Sequence, residues 1–340
     1  ITLAFARTFA EHGRLALTGA SDPVEGFSSP AWFLLNAAAA RLHPGFSGAI
    51  ALSQAFAALC MMASSVLLFL IGRRLSLSAG ALAAVLILFA LSGPAIAETA
   101  NGMEMGLLAA SGLALVYTLY FRPPGPAAAL AALVFLSARF EAIFFYGVLI
   151  APLLLQRRWR LALLMAGLGL AAFGAQEWLR WDLFGQLLPN TVLAKMHAPY
   201  SFPGAAALQS RLEALGELGV LTAPLAVTVL FLAICAPDRL RALTSDRRDL
   251  LVLAAPVIAV ELFALVTGKN QGYLGRMAFL GLPFALLLFA RLFDALAGGL
   301  RADVRRALLA VACIATLQIG LTLSASTALS GVSPPARMMA

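Results

Sequence analysis

The sequence predicts an all-α, polytopic transmembrane protein of about ten spans, with a short interfacial helix in its first outer loop. Three observations predict it. Hydrophobic residues make up 61% of the 340 and charged residues 12%, against about 45–50% and about 25% in a soluble domain. The mean hydropathy is +0.91. Apolar runs of helical length recur down the whole chain, separated by charges or by Pro and Gly. This composition excludes a soluble globular protein and a disordered chain. A net charge of +8 and a pI of about 10.1 would point a soluble protein toward nucleic acid. In a bilayer an arginine excess reports orientation instead, and no nucleic-acid partner is expected.

The elements follow in order. The chain opens at Ile1, without Met and inside an amphipathic stretch, which predicts further sequence, including a first span, upstream. Residues 30–42 form a helix opened by Pro30, too short to cross. The expected crossings are 48–71, 77–95, 104–121, 126–138, 142–155, 160–178, 219–236, 250–267, 277–296 and 305–326. Each ends at a charge cluster or a Pro/Gly break, such as Arg73-Arg74 after the first and Arg122-Pro123-Pro124 after the third. Residues 1–47 are then a first extracytoplasmic loop with interfacial helices, 48–326 a transmembrane helical domain, and 327–340 an extracytoplasmic tail. Cys60, Cys235 and Cys313 lie singly in apolar runs and read as small core residues.

The loops sort into two sets. One holds Arg73, Arg74, Arg122, Arg157, Arg158, Arg160, Arg239, Arg241, Arg247, Arg248, Arg291, Arg301, Arg305 and Arg306. With its five acids this side carries a net charge of +9, and the other side carries −1. The positive-inside rule places the first set in the cytoplasm. The runs 126–138 and 142–155 are each about 20 Å long, short of a core of about 30 Å. A single helix across both would put Arg122 and Arg157 on opposite sides. A hairpin keeps the alternation and sinks its tip, Ser137 to Glu141, below the outer surface. Charges at that depth require a protein-lined, water-filled cavity.

Eleven of the sixteen acids fall on the outer side. A transporter would place ionisable groups near the midplane of several spans. Clustering at span ends suits an enzyme working at the outer membrane surface. Four stretches there share an order: Asp22-Pro23-Val24-Glu25-Gly26-Phe27-Ser28-Ser29-Pro30-Ala31-Trp32, Asn101-Gly102-Met103-Glu104, Arg139-Phe140-Glu141, and Phe184-Gly185-Gln186-Leu187-Leu188-Pro189-Asn190-Thr191 with Lys195. Together they resemble the terminal arabinofuranosyltransferase family of mycobacterial cell-wall synthesis, within the GT-C membrane glycosyltransferases.

The resemblance implies a GT-C-like fold and inverting transfer of a sugar, arabinofuranose in that family. The donor it implies is a polyprenyl-phosphate sugar, and the acceptor an extracytoplasmic glycan or lipid. It also implies that the catalytic base is one Asp of a pair lying upstream of Ile1, so no catalytic residue is assigned within the chain. The stretch Gly268-Lys269-Asn270 departs from the Gly-Gly-Asp of many relatives.

The leaving group is a lipid phosphate, so the chemistry needs cations for it and polar groups for the sugar. Lys195, Arg276 and Arg139 are the phosphate candidates, and Glu25, Glu104, Glu141, Asn190 and Asn270 the polar ones. Each has a plainer reading. Arg139 and Glu141 pair with each other, Lys195 and Arg276 anchor at headgroups, Glu25 caps helix 30–42, Asn190 makes a turn, and Glu104 complements a helix dipole. Trp178 and Trp181 read as interfacial belt residues. His12, His43 and His197 have no ligand spacing, so no metal site is expected, and divalent-metal dependence stays open. A flippase for polyprenyl-linked sugars and a non-catalytic envelope assembly protein remain as rival readings.

Overall fold

A computed structural model describes residues 2–19, 22–43, 45–190, 193, 205–239, 247–267 and 278–330. The described residues contain helices and no strand. The helices are α1 (Thr2–His12), α2 (Pro30–Leu42), α3 (Phe46–Arg74), α4 (Ala79–Ala90), α5 (Gly93–Ala100), α6 (Met105–Tyr120), α7 (Pro126–Ala138), α8 (Ala142–Ile150), α9 (Pro152–Leu155), α10 (Trp159–Phe184), α11 (Ala205–Cys235), α12 (Arg247–Thr267), α13 (Leu282–Ala297) and α14 (Ala302–Ser330).

Four helices are long and apolar enough to cross a membrane, or five if α4 and α5 form one bent span, as an integral membrane protein requires. Every one of the ten apolar runs contains helix, but in half of them the helices are shorter than a crossing. The reason is local punctuation. Ser92 caps a new helix with Pro94 in its first turn, so run 77–95 becomes α4 and α5, bent by 45°. Pro152 likewise divides run 142–155. Elsewhere two helices run longer than expected. No breaker interrupts α10 until Gly185, which adopts a left-handed φ of +66°, so Trp178 to Phe184 are helix rather than loop. The expected start of a helix at 219 moves back to Ala205. Cys235, at the end of α11, is exposed rather than core.

α6 is the hub. It is buried along nearly its whole length and lies against α3 and α7. Two glycines permit the approach: a Cβ on Gly106 would lie 3.3 Å from Cys60, and one on Gly112 would lie 3.1 Å from Phe135. α3 and α6 run in the same direction, since Ser53 bonds Gly102 while Gly106 faces Ala57 and Cys60 further along.

The hairpin expected at 126–155 is present. Tyr120, at the end of α6, donates to the Leu149 carbonyl at 2.6 Å, so α8 returns to the end where α7 began. The tip lies at the opposite end, where Arg139 meets Glu104 at the start of α6. The two-sided sorting of charge follows from these contacts. Arg158 and Arg248 donate to the last carbonyls of α6, at Leu119 and Tyr120, a favourable place for cations. At that same end Ser78 bonds Asp294 through both its amide and its hydroxyl, and Arg239 reaches the Leu296 carbonyl. Glu25, Glu98, Glu104, Arg139, Glu141 and Arg180 gather at the other end.

α1 and α2 pack together beside that acidic end. Phe27 stacks on Phe33 at 4.1 Å and 8°, and Phe9 lies 5.5 Å from Phe33. α10 carries large apolar side chains exposed on its outer face, including Leu163, Leu164 and Leu170, as a lipid-facing span would. Its inner contact is tight: a Cβ on Gly169 would sit 2.4 Å from the Tyr146 ring, which is pinned by a 2.6 Å bond to the Met165 carbonyl. Gly169→Ala should therefore destabilise the protein by about 1–3 kcal/mol through overpacking. Gly167→Ala and Gly174→Ala, where a Cβ meets nothing within 4 Å, should not. Thermal unfolding of the three variants in detergent checks this; equal effects would refute it.

Candidate functional site

The polar end is organised by two buried arginines. Arg139 follows α7 in an extended conformation that ends the helix and turns the side chain inward, leaving it 3% exposed. Its guanidinium grips Glu141 with two bonds, 2.9 Å and 3.1 Å, and also bonds Glu104. The bidentate pairing needs the planar fork of Arg. Glu104 stands at the N-terminal boundary of α6 without capping it, its carboxylate being turned to Arg139 instead. Glu98, 1% exposed on α5, is near enough for its charge to act on Arg139.

The second arginine, Arg180, extends from the last turns of α10 and is 4% exposed. It bonds Glu25 at 2.7 Å and Glu177 one turn back on its own helix, and it lies 5.3 Å over the Phe140 ring. Burial pushes the Glu25 carboxyl above the ordinary carboxylate range, and the hydrogen bond and charge of Arg180 draw it partly back. Glu25 is therefore a partner of Arg180 and not a cap of α2, whose N-cap has no side-chain bond.

The two clusters are joined by the segment Glu25–Ser28. The Phe140 amide, next to Arg139, donates to the Ser28 carbonyl at 2.8 Å. Gly26 has no room for a side chain, because a Cβ would lie 1.9 Å from the Phe5 ring. Gly102 does similar work across the way. It adopts φ +60°, and its carbonyl accepts from Trp32 Nε1 at 3.2 Å and Ser53 Oγ at 2.9 Å. The sequence motifs around Trp32 and Gly102 are thus brought together by a backbone carbonyl.

Two cavities flank the Glu25–Ser28 segment. The more polar one, of about 360 Å³, is lined by Ser28, Asn36, Ser53, Asn101, Glu104 and Arg139, and on its apolar side by Trp32, Ile50, Met103 and the start of α1. An apolar one of about 260 Å³ is lined by Phe9, Leu15, Phe33, Leu179, Leu183 and Phe184, with Glu25 and Arg180 at its polar edge. Phe27 lines both.

Of the eight residues singled out in the sequence, Glu104, Arg139 and Glu141 come together, and Glu25 stands in the adjoining cluster. Asn190 is half-buried and lines neither cavity. Lys195, Asn270 and Arg276 lie outside the described residues. Arg180, Glu177, Asn36 and Ser53 carry no loop motif and were not legible as site residues. The one usable signal was the i, i+3 spacing of Glu177 and Arg180, obscured by reading that stretch as partly loop. Trp178 and Trp181 are exposed, as belt residues would be. Among the described residues no three His, Cys, Asp or Glu side chains group as metal ligands. No protein-family model, curated protein or solved structure matches the chain.

The charge balance of the second cluster predicts an asymmetry. Arg180→Met leaves Glu25 and Glu177 facing each other in a buried place and should cost about 3–5 kcal/mol. Glu25→Gln leaves Arg180 paired with Glu177 and should cost only about 1 kcal/mol. Denaturation midpoints of the purified variants check the order; equal losses would contradict it.

Proposed function

We propose that the chain is a GT-C-type membrane glycosyltransferase that takes a sugar from a polyprenyl-phosphate donor to an extracytoplasmic glycan or lipid. The observation that carries the reading is the pairing of cavities. A polar cavity and an apolar one share Phe27 as a wall, at one end of an apolar helical bundle. An amphiphile with a sugar head and an isoprenoid tail fits such a pair, the head among Glu104, Asn36 and Ser53 and the tail among Phe9, Leu179 and Leu183.

The polarity of the bundle supports the orientation. The arginine-rich end faces the cytoplasm by the positive-inside rule, and the cavities open toward the outside. Ten crossings around the hub helix α6, with the two short helices of the 126–155 hairpin counted as two of them, complete the GT-C-like reading. In the reaction the acceptor oxygen bonds the anomeric carbon as the bond to the phosphate oxygen breaks. The acceptor proton passes to a carboxylate base, as the family resemblance implies. Arg139 is already engaged by Glu104 and Glu141, so its role is to shape the sugar subsite. Lys195 and Arg276 are proposed for the phosphate, and arabinofuranose is the proposed sugar.

Full-length protein in proteoliposomes, given a panel of polyprenyl-phosphate sugars with an acceptor, should transfer one of them. Glu104→Gln should cut transfer by about 100-fold without unfolding the protein. Movement of labelled lipid-linked sugar across the bilayer with no transfer, in wild type, would replace this reading with a flippase.

A further inference from the structure

The arginine-rich end of the hub helix holds more cations than the fold uses. Arg158 and Arg248 are engaged by the last carbonyls of α6, at Leu119 and Tyr120. Arg122, two residues beyond α6, and Arg157 and Arg160, around the start of α10, are exposed. Among the described residues no carboxylate pairs with any of these three.

Arg157 is also held in an unusual backbone conformation. Its φ is +56°, in the left-handed region that glycine adopts freely and other residues rarely. The turn after α9 imposes the angle. The Arg158 amide donates to the Leu153 carbonyl at 2.9 Å, and the Arg157 amide to the Leu154 carbonyl at 3.0 Å. This Schellman-type closure puts Arg157 where helices most often place Gly. Neither bond involves the guanidinium, so the turn does not account for the arginine.

The neighbouring surface does. Trp159 with Leu163, and Arg160 with Leu164, are pairs one helical turn apart on α10, and all four side chains are exposed. Cations at the helix end are therefore followed, along the span, by an exposed Trp and two Leu. A phospholipid has the matching order of phosphodiester and acyl chains. A zwitterionic headgroup would set its own cation among the arginines; an anionic one would not.

We propose that Arg157 and Arg160, with Arg122 beside them, bind the headgroup of an anionic phospholipid whose acyl chains lie along Trp159, Leu163 and Leu164. The guanidinium forks take the phosphate oxygens. The site is at the opposite end of the bundle from the two cavities and stands apart from the glycosyltransferase reading.

The test titrates full-chain protein in a neutral detergent with a fluorescent short-chain phosphatidylglycerol, and with the phosphatidylcholine of the same chains, reading saturable binding by anisotropy. Each arginine near the headgroup contributes about fivefold in affinity, so wild type should prefer phosphatidylglycerol by about 25-fold or more. Arg157→Gly should weaken phosphatidylglycerol binding about fivefold and leave phosphatidylcholine binding unchanged. Its thermal midpoint without lipid should be no lower than that of wild type, because Gly suits the turn. Adding Arg160→Gln should bring the loss to about 25-fold. Arg301→Gln removes an exposed cation beside α14, a helix that packs on α4 and α11, and should change neither affinity.

Equal binding of the two lipids by wild type overturns the site, whatever the variants do. A loss for Arg301→Gln as large as that for Arg157→Gly also overturns it, as diffuse charge attraction. So does a lowered midpoint for Arg157→Gly, which would give the arginine a folding role. Displacement of the lipid by an equal concentration of glycerol phosphate would replace it with a site for soluble anions. The transferase reading stands or falls separately, on the transfer assay.

Discussion

A guanidinium at the tip of a hairpin, buried between apolar helices, sets the terms for the whole polar end of the molecule. Arg139 would be expelled from such a place unless its charge and its N–H groups were met. Glu141 meets it from two residues on and Glu104 from the start of α6. The first partner closes the tip on itself. The second ties α7 and α8 to the hub helix, so the depth and direction of the hairpin are fixed by one ion triad. Replacing the triad by apolar side chains would leave a packed bundle but no polar floor for the adjoining cavity. Its place here is therefore better explained by what it shapes than by net stability.

The second arginine extends the same principle to the first outer loop. Arg180 reaches from the end of a long apolar helix to Glu25 and covers the ring of Phe140, the neighbour of Arg139. Segment Glu25–Ser28 is thus held at one end by an ion pair and at the other by the Phe140 amide. Between these anchors Gly26 lets Phe5 close in, and Phe27 is left as the partition between a polar and an apolar cavity. A thin, doubly anchored wall lets a short loop face a more polar cavity on one side and an apolar one on the other.

Much of this was legible in the sequence, for identifiable reasons. Pro30 and the apolar run after it placed α2 at the observed residues, because proline is favoured at a first helical position, although Pro224 and Pro256 lie inside longer helices. The hairpin was legible because charge alternation forbade a single helix, and the Tyr120–Leu149 bond joins the ends as that reasoning requires. Helix ends in the outer loops were less so. Trp178 to Phe184 continue α10, since Gly185 and not Trp178 supplies the stop. Helix length and composition support four or five of the ten expected crossings, because hydropathy alone does not register breaks such as Ser92-Gly93-Pro94. Within the site, the ion partners Glu104, Arg139 and Glu141 stood in motifs. Arg180 and Asn36 did not: each owes its position to a long-range packing arrangement that no local pattern encodes.

The central claim is that the two cavities hold the two ends of one lipid-linked sugar. Photo-crosslinking tests it most directly, with a polyprenyl-phosphate sugar carrying a diazirine on its first isoprene unit and a second probe carrying it on the sugar. Peptide mapping should place the tail adduct on Phe9, Leu179 or Leu183 and the sugar adduct on residues around Asn36, Ser53 and Asn101. Adducts of both probes spread evenly along the exposed faces of α3 and α10, with excess unlabelled donor failing to compete, would contradict it.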